Sequence, residues 1–372
     1  MNMNDFQLIS KVIYYLLFVL LLFLYARYKY KKHDNDGKGK FGILALIFFA
    51  ILFGVYGILC GPPGERIGDR HNYALRFENT GYEEFVKENS VGLFVIESIL
   101  QLFTRNSSVL FFCVSVLYFC INIYCYKKLK VATPFYLLLF FLSTMGLYGF
   151  FALKQALSLA FINLALTKYF QNRRFQALVF LVVAILFHEA TWIVIPCFIL
   201  AKLCKGSKIR QLMVYISAII VAVLFPQISS FFVSVFSFIP GMENQISSYL
   251  DESGSILIDL NIFTIMKSAP YYIITITAFL FRKKLKDSIE NYDFLLALSV
   301  FCSIFSILSL YMYWMFRFAM YCYVPCFILA SQIALHLKVE NAKVFKIVTV
   351  GILLALMVKL LIQYYYIYGG IV

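Results

Sequence analysis

The sequence predicts an all-α integral membrane protein with about 12 helical spans, within a range of about 10 to 13. Three observations support this fold class. Hydrophobic residues fill 62% of the 372 positions and charged residues only 14%, whereas a soluble domain typically carries about 25% charged residues. Apolar runs long enough to cross a bilayer recur from end to end. Lysine and arginine gather in short segments between those runs, as expected for cytoplasmic loops.

The basic segments orient the predicted spans. Six of them hold 23 of the 33 lysines and arginines, and the positive-inside rule places all six in the cytoplasm. They are 27–40, 127–130, 168–174, 202–210, 282–286 and 338–346. Successive cytoplasmic loops enclose an even number of crossings, so both chain ends are expected on the outer side. The net charge of +14 is therefore explained by topology and does not indicate a nucleic-acid partner.

The spans follow one another in a defined order. They are drawn at 8–26, 41–60, 107–126, 133–152, 155–171, 176–187, 191–203, 211–232, 263–281, 292–312, 317–336 and 347–368. The first has its basic stretch after it, so it is expected to be a span and not a cleaved signal peptide. Only 27 residues separate Arg174 from Lys202, too few for two spans of about 20 residues. A short broken-helix hairpin over 176–203, meeting at His188, is favoured over a misassigned basic flank.

Two long connections are expected on the outer side of the membrane, at 61–106 and 237–262. The first contains an apolar stretch at 91–103, which is too short to span and is expected to lie along the interface. The second is acidic and has no lysine or arginine. No repeat or linker divides the chain, so residues 1–372 are predicted to form a single polytopic domain.

Ionisable residues inside apolar spans are costly, so each is a candidate functional residue. The drawn topology places five of them near the outer face: Lys154, His188, Glu189, Lys267 and Arg317. The first outer connection adds Asp69, Arg70, His71 and Arg76 on the same side. Each also has a simpler interpretation. Lys154 and Lys267 could extend to the outer headgroups, and Arg317 could anchor an aromatic belt. His188 could be a hydrogen-bonded core residue, and Asp69 could be a helix N-cap. Their shared sidedness favours one pocket open to the outer leaflet.

Motifs for other chemistries are missing from the sequence. We find no Walker loop, HExxH or GxSxG motif. The nine cysteines lie in apolar segments and form no CxxC pair, so they are interpreted as small hydrophobic residues. Neither a metal nor another cofactor is expected.

Three short segments resemble the EpsG family of Wzy-like polymerases, which make bacterial exopolysaccharide, capsule and O-antigen. They are GDRHNY at 68–73, FALKQAL at 151–157 and AILFHEAT at 184–191. Their order and spacing agree with the family, and a weaker likeness occurs at Arg317. The family usually has Arg-Gln where this chain has Lys154 and Gln155, and often a serine at the position of Ala190, which Thr191 would replace.

The resemblance implies an enzyme of the bacterial inner membrane, a glycosyltransferase that joins polyprenyl-pyrophosphate-linked oligosaccharide repeat units. It implies catalytic roles for His188, Asp69 and Glu189. Pyrophosphate- or glycan-binding roles fall on Lys154, Gln155, Arg317, Arg70, Arg76 and Tyr73. The implied partners are the lipid-linked oligosaccharide and membrane lipid, together with a chain-length regulator and a flippase of the same pathway.

Two other classes of protein remain as alternatives. A flippase or transporter for lipid-linked sugars would also place cations in a cavity, and a membrane O-acyltransferase acting on glycans would use His188 as a base. Transporters usually show inverted repeats with broken helices at the midplane of the bilayer. No repeat is evident here and the charges lie near one face, which favours the polymerase.

Overall fold

The computed structural model describes residues 3–32, 42–60, 69–79, 90–129, 132–204, 262–309 and 315–368, with scattered positions between 207 and 224. Every regular element within these ranges is helical. In chain order they are α1 (Met3–Lys32), α2 (Ile43–Leu59), α3 (Asp69–Asn79), α4 (Val91–Gln101), α5 (Ser107–Lys128), α6 (Pro134–Leu142), α7 (Thr144–Phe151), α8 (Leu153–Phe170), α9 (Arg174–Phe187), a 3₁₀ turn (Glu189–Ile193), α10 (Val194–Cys204), α11 (Ile262–Leu280), α12 (Arg282–Leu285), α13 (Tyr292–Leu308), α14 (Met315–Tyr321), α15 (Tyr323–His336) and α16 (Val339–Tyr368).

The described helices confirm the all-α membrane fold but not the predicted count of spans. Three of them, α1, α5 and α16, are long and apolar enough to cross a membrane. Two bent pairs raise the number to at most five, because α6 with α7 and α14 with α15 can each form one broken span. Five further apolar helices are only 10–17 residues long. The predicted count of twelve is therefore not confirmed in the part of the chain that the structure describes.

The predicted straight span at 133–152 is broken at Ser143. Its backbone is extended (φ −85°, ψ 171°), and its hydroxyl both donates to the Phe140 carbonyl at 2.7 Å and accepts from the Met145 amide at 3.2 Å. The side chain thus caps both helix ends at the break, where α6 and α7 meet at 56°. Hydropathy does not register such a break, because the helices on both sides of Ser143 are apolar.

The one break that the sequence predicts lies at His188, and the structure confirms it. Helix α9 ends at Phe187, and His188 is extended (φ −154°, ψ 115°). Its amide still donates to the Ala184 carbonyl at 3.2 Å. The 3₁₀ turn and the short helix α10 follow. The short helix α4 lies within the predicted connection 61–106. Residues 237–261 and most of the predicted span 211–232 lie outside the described residues.

The contacts divide the chain into two compact units. The first comprises residues 1–188 and 353–372, and the second comprises 189–352. The first unit has an aromatic core in which Phe53 and Phe150 lie 4.5 Å apart between ring centroids. In the second unit the rings of Tyr271 and Tyr323 stack at 4.1 Å. The single domain expected from the sequence stays a prediction.

Candidate functional site

Helix α3 places most of the predicted outer-loop residues on the first unit. Tyr73 and Phe77, four residues apart on its apolar face, are buried. They belong to a cluster, called here the outer cluster, that also contains Leu93, Leu110, Phe111, Val114, Leu153, Leu157 and Phe187. Five helices contribute to it: α3, α4, α5, the start of α8 and the end of α9. The outer cluster therefore brings three separate segments of predicted site residues to one region.

Arg70 is buried beneath α3 and is bound by backbone oxygens. Its side chain donates to the Phe150 carbonyl and to the Gly57 carbonyl, both at 2.8 Å. The guanidinium carbon lies 3.5 Å from the centroid of the Phe111 ring, and the residue is only 5% exposed. This geometry combines two charge-assisted hydrogen bonds with a cation–π contact.

The two carbonyls that Arg70 contacts lie in the last turns of α2 and α7. Carbonyls at the C-terminal end of a helix lack an intrahelical donor and carry the negative end of the helix dipole. A guanidinium fork satisfies two such carbonyls at once. Arg70 therefore caps two helices and anchors α3 onto both, which is the contact pattern of a positioning residue.

We expect Arg70→Met to destabilise the protein by about 3 kcal/mol, because two charge-assisted hydrogen bonds are lost and two carbonyls are left buried. The measurement is thermal unfolding of the purified protein in detergent. Arg105→Met, at an exposed arginine of the same unit, is the matched control and should leave the unfolding temperature unchanged. Equal unfolding temperatures for Arg70→Met and the wild type would contradict the anchoring role.

Two of the predicted cations lie near the Tyr73 ring. The guanidinium carbon of Arg76 is 5.5 Å from the centroid of the Tyr73 ring, and the Lys154 ammonium is 6.0 Å from the same centroid. Lys154 is half-buried in the first turn of α8, and the adjacent Gln155 is buried. Two cations thus lie near one aromatic ring.

Glu97 is a further candidate site residue, although none of the predicted spans or motif segments contains it. It lies on α4, is fully buried, and accepts from Arg76 at 2.6 Å. Its signal in the sequence was a single acidic residue in the otherwise apolar stretch at 91–103, four positions after the buried Leu93. A carboxylate on the inward face of an apolar helix indicates a candidate functional residue in the same way as a charge inside a membrane span.

His188 follows directly on a residue of the outer cluster. The Phe187 ring stacks on Phe161 at 5.3 Å between centroids. It also lies where a side chain at Gly92 would be, since a Cβ there would meet the ring at 2.7 Å. This close approach joins the start of α4 to the end of α9. His188 itself is half-buried.

The second unit gathers a separate group of predicted residues. Glu189 begins the 3₁₀ turn, and Thr191 within that turn is fully buried. The Thr191 hydroxyl forms a 3.3 Å hydrogen bond with the Tyr321 hydroxyl of α14. Arg317 lies one helical turn before Tyr321 and therefore shares its side of α14. Turn and helix thus bring Glu189, Thr191 and Arg317 into one region.

Two predicted residues are only partly described. Asp69 is the first residue of α3 and Lys267 lies in α11, but the side chains of both lie outside the described residues. Among the described residues no group of three or more histidine, cysteine, aspartate or glutamate side chains is arranged to hold a metal ion.

Fold and site together define a multi-pass, all-α membrane protein with cations arranged beside an apolar cluster. The model of the EpsG family matches residues 64–370, so the chain belongs to the EpsG family, which is a family of Wzy-like polymerases. The resemblance seen in the sequence is confirmed. No curated protein and no solved structure matches the chain.

Proposed function

We propose that the protein is a Wzy-type polysaccharide polymerase. It joins polyprenyl-pyrophosphate-linked oligosaccharide repeat units into O-antigen, capsule or exopolysaccharide on the outer side of the bacterial inner membrane. Family membership supports the general class. The observation that carries the proposal is the outer cluster, where Lys154 and Arg76 share the Tyr73 ring and where α9 ends next to His188.

The reaction is a displacement at an anomeric carbon. A hydroxyl oxygen of the acceptor sugar forms the new C–O bond, while the bond between that carbon and the pyrophosphate oxygen breaks. The electron pair of the broken bond leaves with the pyrophosphate, and the hydroxyl proton passes to a base. Because pyrophosphate leaves as a stable anion, it needs cations to bind it and no acid to protonate it.

Lys154 is the first candidate for binding the pyrophosphate in the first unit. Its ammonium lies 6.0 Å from the centroid of the Tyr73 ring, on the same cluster as Arg76. Arg70 caps α2 and α7, and Arg76 pairs with Glu97. We therefore propose that Arg70 positions α3 and does not bind substrate. Arg76 is the second cation, while Gln155 and Tyr73 contribute to the pocket for pyrophosphate or glycan.

His188 is proposed as the general base, since neutral imidazole accepts a proton near pH 7. Glu189 is the orienting partner or an alternative base, and Asp69 is a second alternative. A chain-length regulator and a flippase are the proposed partners in the pathway, with membrane lipid surrounding the protein.

The deciding experiment incubates the purified protein with a defined lipid-linked repeat unit and sizes the product. A ladder of multiples of the repeat unit, with release of polyprenyl pyrophosphate, supports the proposal. Unchanged substrate would overturn it, provided that a known polymerase tested in parallel is active.

A deletion strain distinguishes a polymerase from a flippase. Loss of polymer with the single-unit product retained supports a polymerase, whereas loss of both products supports a flippase.

The proposed role of Arg317 in substrate binding is tested separately. We expect Arg317→Ala to lower the polymerisation rate by about 10- to 100-fold, as for the loss of a charge-assisted hydrogen bond to an anion. Arg210→Ala, which alters an exposed arginine, is the control. If Arg317→Ala polymerises at the wild-type rate, Arg317 does not bind the substrate.

A further inference from the structure

Glu97 is directed inward from a helix whose other face is apolar and exposed. Val91, Val95 and Ile99 are each 48–54% exposed, whereas Leu93 and Glu97 are fully buried. The inward face of α4 packs against α5, α8 and α9. Burying a carboxylate is costly unless it is paired and hydrogen-bonded. A leucine at this position would continue the apolar pattern, so the presence of the acid requires a reason.

The carboxylate is bound to one specific cation. Its Oε1 atom accepts from the Nη2 atom of Arg76 at 2.6 Å, and the Arg76 side chain is only 13% exposed. The same guanidinium lies over the Tyr73 ring. An arginine side chain has four rotatable bonds in its stem, and a short bond to a buried carboxylate at its tip restricts most of that freedom.

We propose that Glu97 is a positioning residue that holds Arg76 against Tyr73, so that Arg76 and Lys154 form a preorganised pair of cations for a polyprenyl diphosphate. This inference rests on the proposed function and adds a residue to it. Glu97 does not contact the substrate. It fixes the direction of a side chain that does, and so lowers the ordering cost of binding.

A purely structural role explains the pair less well. Replacing a buried ion pair with packed apolar residues of similar volume is often neutral or stabilising, so packing of α3 against α4 does not by itself account for an ion pair at this place. Helix α3 also has an independent anchor in Arg70, which contacts α2 and α7. The particular effect of Glu97 is therefore on the orientation of Arg76.

The test compares Glu97→Ala, Glu97→Gln, Arg76→Gln and the double variant Glu97→Ala/Arg76→Gln in the polymerisation assay. We expect Glu97→Ala to raise the KM for the lipid-linked donor about tenfold with kcat within about twofold, because Arg76 binds the diphosphate in ground and transition states alike. Arg76→Gln should give the same rise in KM, and the double variant should add no more. Glu97→Gln keeps an acceptor oxygen for Arg76 and should hold KM within about threefold of the wild type.

A second readout does not depend on turnover. Binding of farnesyl diphosphate, a short polyprenyl diphosphate, is measured by calorimetry with the full-length protein in detergent, and its Kd should rise about tenfold in Glu97→Ala and Arg76→Gln. Glu78→Gln is the matched control. Glu78 lies on the exposed side of α3, where it accepts from the Ser107 amide, and a glutamine keeps that bond.

The outcomes separate this inference from the proposed function. A wild-type protein that makes no polymer and binds no diphosphate contradicts both. A wild-type protein that polymerises, with KM and Kd unchanged in Glu97→Ala, overturns the positioning role alone. Independent effects that multiply in the double variant would also overturn it, because Arg76 would then not depend on Glu97.

Discussion

Replacing His188 with alanine should abolish polymer formation while the protein remains inserted and abundant. Removal of a general base lowers a rate by about 100- to 10,000-fold. The side chain is half-buried, and the hydrogen bond from the His188 amide to the Ala184 carbonyl belongs to the backbone. Alanine retains that hydrogen bond, so the end of α9 should be preserved. The measurement is the initial rate of polymer formation at equal amounts of folded protein.

His336→Ala is the matched control for this prediction. His336 ends α15 on the second unit and has no assigned role, so its variant should polymerise at the wild-type rate. If His188→Ala polymerises normally, the base lies elsewhere. Loss of activity in Glu189→Gln or Asp69→Asn would then identify which of the two alternatives acts as the base.

The second large effect is expected at Lys154. We expect Lys154→Gln to lower the polymerisation rate by about 100- to 1,000-fold, the usual loss when one preorganised donor to a developing negative charge is removed. Lys154→Arg should retain most of the activity, because a guanidinium supplies the same charge and binds phosphate oxygens through two donors. The assay is the rate of polymer formation with the lipid-linked donor at saturation.

Lys128→Gln provides the comparison for Lys154. Lys128 lies in the last turn of α5, 5.8 Å from the Tyr124 ring, so it pairs a lysine with an aromatic ring without belonging to the outer cluster. Its variant should keep wild-type activity. Equal rates for Lys154→Gln and the wild type would exclude Lys154 from the pyrophosphate site.

The sequence predicts the helices better than their breaks. The apolar runs locate α1, α5 and α16 closely, because these helices are uniformly hydrophobic over a full span. The break at His188 was predictable, since 27 residues fit neither one span nor two. The break at Ser143 was not, because it depends on one hydroxyl that bonds to Phe140 and Met145, and no hydropathy average contains that information.

The sequence indicates candidate site residues better than it indicates their contacts. Lys154 is indicated by a charge inside an apolar segment, and Arg70 and Arg76 by basic residues in a predicted outer loop. The structure places all three around the outer cluster. Sequence alone does not show that Arg70 faces two backbone carbonyls, because its acceptors are 13 and 80 residues away. The contact between Thr191 and Tyr321 could not be predicted either, because the two residues are 130 positions apart.

The double capping by Arg70 has a consequence for biogenesis. One acceptor carbonyl is made before Arg70 during synthesis, on Gly57, and the other comes later, on Phe150. A nascent chain that stops after residue 130 contains Gly57 and the Phe111 ring that covers the guanidinium, but not yet the second acceptor carbonyl. Full protection of Arg70 from an arginine-selective reagent should therefore appear once the chain is long enough to insert α7, which makes Arg70 a reporter of how far assembly of the first unit has advanced.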